Sequence, residues 1–249
     1  MADFPKKRIR YYCQSLGGIG HLTCNLRIIG ELLEHSEVDL IQGGLGTGAS
    51  LEHEEFRNLC LPTLLHNHDT GGFFDPDDAR DTDDVWAERQ TEITNFLRWP
   101  YHAIVVEFYP FGRRRFKSEI QGLFKSVCER CGPIPIFTSV REVLVPRAIK
   151  KERRMAESVK KYIHTVFIRG DRDIVRFDET FSLAHEIDDR LCYTGYISPP
   201  PPKSRPTRKK TNSRQPRRRQ CRTGITRRRD RRRRVDAGFF VFIGDRIAH

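Results

Sequence analysis

Short apolar runs and longer amphipathic stretches alternate along the first four-fifths of the chain. The runs lie at 9–14, 38–41, 103–108, 134–139, 165–168 and 191–194; they are partly β-branched and bounded by Gly, Pro or Asp, which predicts buried strands. Between them the apolar spacing changes from strand-like to helical. Leu22, Leu26, Ile29 and Leu33 recur at i, i+4, i+7 and i+11, one stripe of a helix over 21–33. A helix over 85–97 follows an Asp-rich stretch that supplies caps and first-turn negative charge. A third, over 115–128, stops near Cys131-Gly132-Pro133. Further helical patterns cover 148–162, with its charges on a wide solvated face, and 177–186. Strand and helix in regular alternation predict an α/β fold, a single Rossmann-like, doubly wound parallel sheet over 1–198.

The pattern breaks at Pro199. Pro199 to Pro202 is a polyproline stretch, and Arg, Lys, Gln, Ser and Thr then dominate until Val235. Such a segment buries too little apolar surface to offset its ordering entropy, so residues 199–249 are expected to be a disordered Arg/Pro-rich tail. The charge divides at the same place. The whole chain has 45 Lys+Arg against 33 Asp+Glu, formally +12. The tail holds 18 of the basic and 3 of the acidic residues, which leaves 27 and 30, net −3, on residues 1–198. A uniformly basic, groove-lining domain is therefore excluded for the body. Arg217 to Arg219 and Arg227 to Arg234 are dense cationic runs without interleaved aromatics. They suit non-specific polyanion binding rather than base recognition.

The seven cysteines are odd in number and scattered, as expected of reduced thiols in a cytoplasmic protein. No apolar run approaches the ~20 residues of a membrane span. The basic pairs of 150–161 leave a peripheral contact with anionic head groups at the inner membrane face as a lesser expectation.

The first strand runs into Ser15-Leu16-Gly17-Gly18-Ile19-Gly20-His21 and then a helix. Gly17, Gly18 and Gly20 let the backbone turn sharply and let a ligand approach the helix N-terminus. They do not complete a dinucleotide fingerprint, because Thr23 stands where the third glycine belongs and Asp39 lies inside a strand rather than at its end. His21 sits where a strand meets a helix start. A histidine there is suited to take a proton from an attacking hydroxyl; the alternative is a ring that only caps its helix or packs. Glu107 and Arg113 fall at the end of another predicted strand, facing the same cleft if the sheet is parallel. The alternatives are a structural carboxylate and a solvated basic turn. Gly43 to Ser50 lacks the lysine of a phosphate loop, Cys128-Glu-Arg-Cys131 has no second cysteine pair, and His66-Asn-His68-Asp69 is ligand-rich only on a loop, so no metal site is expected.

The segment from Ser15 to Arg27 resembles the first loop and helix of two-domain GT-B glycosyltransferases, the group that includes the peptidoglycan transferase adding N-acetylglucosamine to lipid I. The body is more closely similar to a family of bacterial predicted glycosyltransferases of that type. The pieces that carry the likeness occur in order: Asp39 to Gly44, Leu61-Pro62-Thr63, Glu107 to Arg113, Val140-Arg141-Glu142, Gly170-Asp171, Asp178 to Phe181 and Tyr193 to Tyr196. Glu142 stands where aspartate is expected. The resemblance implies that residues 1–198 form the N-terminal, acceptor-binding half of a GT-B fold, transferring sugar from a nucleotide-sugar to a hydroxyl of a sugar or lipid-linked acceptor. It implies no metal and no further cofactor. His21 would be the base or an acceptor ligand, Gly17, Gly18 and Gly20 would shape the acceptor site, and Glu107 and Arg113 would orient the acceptor.

After Ser198 the resemblance calls for a donor-binding domain, and the sequence supplies prolines and arginines instead. The chain is therefore expected to be inactive by itself and to need a separate donor-binding subunit. The break is also read as an out-of-frame translation, in which case the other frames of the encoding DNA carry donor-domain sequence. The reading from a different class is a non-enzymatic nucleic-acid-binding protein acting through its tail.

Overall fold

β1 (Lys7–Ser15) is buried along both faces, as a central strand of a doubly covered sheet must be. It belongs to a seven-stranded, all-parallel sheet in the computed structural model, which describes residues 6–15, 20–44, 50–67, 71–76 and 80–197. The tail beyond residue 197, and with it the expectation of disorder there, lies outside the described residues.

From β1 the chain passes through α1 (Gly20–Leu32) to β2 (Ser36–Gly44) and β3 (Phe56–Cys60) on one side. A two-stranded antiparallel ribbon, β4 (Leu65–His66) and β5 (Phe73–Phe74), and α2 (Thr82–Phe96) lead back across to β6 (Ala103–Glu107), which pairs with the other flank of β1. The chain then winds outward through α3 (Lys117–Cys131), β7 (Ile136–Arg141), α4 (Ile149–Tyr162), β8 (Thr165–Arg169) and β9 (Leu191–Tyr193). The strand order is β3-β2-β1-β6-β7-β8-β9, so the direction of winding reverses between β1 and β6.

Strand alternation sends Ile9, Tyr11 and Cys13 to one face, where α1 packs with Leu22, Leu26 and Ile29, joined by Leu33 just beyond it. Tyr12, Ile104 and Val106 face the other way, against α2, α3 and α4. Both layers bury their apolar stripe, and this makes the fold α/β and doubly wound, as the periodicity predicts. α2 starts at Thr82, earlier than expected, because Asp81 caps it: its carboxylate accepts the Asp83 N–H at 2.8 Å. α4 keeps Met155, Ala156 and Val159 inside and most of its charges outside, the solvated-face reading.

Two expectations need correction. The helix expected over 177–186 is instead a pair of 3-10 segments, Phe177–Glu179 and Ala184–Arg190, the second broken by Ile187 at φ −134°. Phe177, Phe181, Ala184 and Ile187 still pack inward, so the apolar spacing is satisfied by a tighter, interrupted coil. Strand β3 was not expected; its residues are half-exposed at the sheet edge and carry little apolar signal.

Asp39 lies inside β2 and is fully buried. It accepts the Tyr101 hydroxyl at 2.6 Å and two nitrogens of Arg98 at 2.9–3.2 Å, with Arg10 at 3.7 Å. Arg10 is fully buried too, its guanidinium 4.3 Å from the centre of the Tyr101 ring, to whose hydroxyl it also donates. Burial pushes the Arg10 pKa down to about 10, still charged near neutrality. Asp39 is thus a structural counter-ion. No helix among the described residues is long and apolar enough to cross a membrane.

Candidate active site at the carboxyl edge of the sheet

In an open parallel sheet a crevice forms outside the strand ends where the winding reverses. Here that point lies between β1 and β6. α1 begins just beyond β1, and His21 is its second residue; Glu107 is the last residue of β6. Across 86 positions of sequence, His21 Nδ1 and Glu107 Oε1 meet at 2.6 Å. The Glu107 side chain is fully buried, whereas the imidazole is 26% exposed.

Two guanidinium groups hold the carboxylate from its other sides. Arg113 Nε lies 3.4 Å from Oε2 and Arg169 Nη2 lies 3.7 Å from Oε1, with side chains 11% and 5% exposed. Arg169 ends β8 and spans two neighbours: its Nε donates to the Val140 carbonyl of β7 at 3.3 Å, and Nη1 lies 3.1 Å from Cys24 Sγ, one turn along α1 from His21. A buried carboxylate is costly unless countered, and two flanking cations supply that compensation.

The turn after β6 aims these groups. Phe108 and Arg113 both adopt left-handed backbone, φ 66° and 56°, at a cost of roughly 1–3 kcal/mol each. The Gly112 N–H donates to the Phe108 carbonyl at 2.7 Å and closes the turn. A Cβ on Gly112 would sit 2.2 Å from the Phe108 ring, so only glycine lets that ring lie where it does. The ring meets the imidazole edge-on at 5.9 Å and lies under the Arg113 guanidinium at 5.9 Å.

With Glu107 as a carboxylate, which only accepts, the contact is donated by Nδ1–H, and a neutral ring then keeps its lone pair on Nε2. That tautomer equips the ring to take a proton from a hydroxyl, with Glu107 beside the imidazolium that forms. Burial pushes the thiol of Cys13, on β1 nearby, up to about 12, which keeps it out of the chemistry.

Of the residues singled out in the sequence, His21, Glu107 and Arg113 come together. Gly20 opens α1, where an added Cβ would meet nothing within 4 Å; Gly17 and Gly18 lie outside the described residues. Arg169 was not anticipated. The signal available was an arginine closing an otherwise apolar strand, Thr-Val-Phe-Ile-Arg. Cys128 and Cys131 are free thiols, and no cluster of three or more metal-ligating side chains occurs among the described residues. Trp86 and Trp99 pack against the core.

No protein-family model and no curated protein sequence matches the chain. Among solved structures it is similar to Phytolacca americana UGT2, determined with UDP-2fluoro-glucose and pterostilbene. Identity is 14% and the TM-score 0.44, covering 78% of this chain and 55% of that one. A Polygonum tinctorium UDP-glucosyltransferase capable of glucosylating indoxyl gives 12%, 0.43, 78% and 53%. The glycotransferase of kitacinnamycin gives 12%, 0.41, 81% and 56%. The chain spans about half the length of these structures.

Proposed function

We propose that residues 1–198 form the acceptor-binding half of a GT-B-type glycosyltransferase in which His21 is the general base. The observation that carries this reading is the 2.6 Å contact between a partly exposed imidazole and a sealed, doubly countered carboxylate at the winding reversal of a parallel sheet. His21 Nε2 takes the acceptor hydroxyl proton while the oxygen bonds to the anomeric carbon of a nucleotide-sugar. The bond from that carbon to phosphate breaks, and the nucleoside diphosphate leaves with the electron pair. The imidazolium then returns its proton to solvent.

Glu107 orients the ring and stabilises its charged form, and Arg113 and Arg169 hold Glu107. In this reading neither Glu107 nor Arg113 touches the acceptor, in contrast to the orienting role implied by the resemblance. Holding donor and acceptor in one dry cleft needs a second Rossmann-like half for the donor.

The test is a transfer assay with labelled nucleotide-sugars and a panel of phenolic, sugar and lipid-linked hydroxyl acceptors. It is run on the full chain alone, with candidate donor-binding subunits, and with a GT-B donor half joined after residue 198. Product formation in an assembled form, lost on His21→Ala, is the expected result. The reading fails if no assembly transfers sugar and no acceptor perturbs the ¹⁵N signals of the His21 ring.

A second reading is favoured by charge alone: 18 of the 45 basic residues lie in 199–249. Deleting that segment is expected to abolish binding to mixed-sequence RNA in a filter assay. The intact chain should lose affinity by several orders of magnitude between about 50 and 200 mM salt. Binding that survives the deletion would refute this assignment.

A further inference from the structure

On the sheet face opposite α1, a recess of about 310 Å³ opens between the turn after β6, the start of α3 and the middle of α4. Its wall includes Tyr109, Arg114, Lys117, Arg154, Glu157 and Ser158. The three cations come from two stretches of chain, 114–117 and α4, and converge on one space. Among the described residues no carboxylate lies within ion-pair distance of any of them, although Arg8, Arg80, Arg89, Arg98 and Lys160 each hold one. Glu157 belongs to the same wall, which leaves a net of two positive charges.

The recess has a rigid side. Tyr109 is buried and its hydroxyl accepts from Gln121 Nε2 at 2.8 Å, so the phenol does not move to fill the space. α3 begins at Lys117, in the wall itself, so the positive end of its dipole lies beside the recess. Two arginines can offer paired N–H groups to the oxygens of a tetrahedral anion, and a lysine adds a point charge.

We propose that this recess binds a phosphate group, the dianionic head of a phosphomonoester matching its net charge. The proposal is independent of the transfer reading, since it uses neither His21 nor Glu107 and lies across the sheet from α1. The phosphate could belong to a free metabolite or to a lipid head group, and one experiment separates the two.

The full chain is titrated at 150 mM NaCl with inorganic phosphate, with glycerol 3-phosphate, and with phosphatidic acid vesicles, phosphatidylcholine vesicles being the blank. Binding is read by calorimetry or vesicle co-sedimentation. The same titrations are made on Arg154→Ala, Lys117→Ala, Glu157→Gln and the control Lys125→Ala, which lies about two turns further along α3, outside the recess wall and beside Glu129. The tail is common to all variants, so differences between them isolate the recess.

Loss of one charge-assisted contact should weaken binding about tenfold or more in Arg154→Ala and Lys117→Ala. Glu157→Gln should tighten it, an effect of opposite sign that misfolding does not mimic. Saturable binding of the free phosphates with this pattern supports a metabolite; the pattern on phosphatidic acid vesicles alone supports a lipid head group. Binding of none of the three, or equal binding by all variants including Lys125→Ala, overturns the proposal.

Discussion

His21→Ala is expected to lower kcat for sugar transfer by about 10²–10⁴-fold, the usual contribution of a positioned general base. The measurement belongs in whichever assembly turns over in the transfer assay. Glu107→Gln keeps the shape of the side chain and removes its charge. It should cost about 1.5–3 kcal/mol of transition-state stabilisation, or about 10–150-fold in kcat.

The sharper result is the double variant. Glu107 is sealed and acts through the imidazole, so in a His21→Ala background Glu107→Gln should cost little more. If the two losses multiply, Glu107 acts on something other than His21 and the dyad is disproved. A complementary readout is the ring tautomer. Wild type should carry its proton on Nδ1, and Glu107→Gln should shift the ¹⁵N pattern toward the Nε2–H form.

The largest stability effect should come from Asp39, far from any proposed chemistry. Asp39→Ala removes the buried carboxylate shared by Arg10, Arg98 and Tyr101. Arg10 would keep its charge in a site with no access to solvent, its guanidinium facing the rings of Phe96 and Tyr101. Breaking a buried pair from one side typically costs about 3–5 kcal/mol. With a urea m-value of ~2 kcal/mol per M, the midpoint should fall by about 1.5–2.5 M. A fall below about 0.5 M would mean that Arg10 finds water or another partner. Asp39→Ala with Arg10→Met should recover part of the loss, since a well-packed apolar pair can replace a buried ionic one.

These two carboxylates show how far the sequence reads. Asp39 and Glu107 both sit in apolar strands, and position alone separated them: one inside a strand, the other at a carboxyl end. That distinction is local, and the structure agrees with it. The strands at 9–14, 103–108 and 165–168 and the helices at 21–33 and 148–162 were legible for the same reason. Periods of 2 and 3.6 are set by neighbours in the chain, and the central strands are long enough in apolar residues to show it. β3 was not legible, because an edge strand buries little and Phe-Arg-Asn-Leu-Cys has no alternation to reveal it. Residues 177–186 show helical spacing, but Phe177 and Phe181 pack edge-on against Phe111, a partner that no window of sequence contains.

By itself, then, the sequence determined an alternating strand–helix chain, its central strands, a basic segment apart from a faintly acidic body, a histidine at a helix start and a glutamate at a strand end. Only the tertiary structure decided that they are partners. β6 pairs with β1 because the crossover through β2, β3 and α2 returns the chain to the open flank of β1, where Ile104 and Val106 bury against the second helical layer. That choice of neighbour brings Glu107 to His21 and, two strands on, reaches back with Arg169. Adjacency of strands is settled by which faces must leave water, a condition on the whole sheet, and no local spacing encodes it.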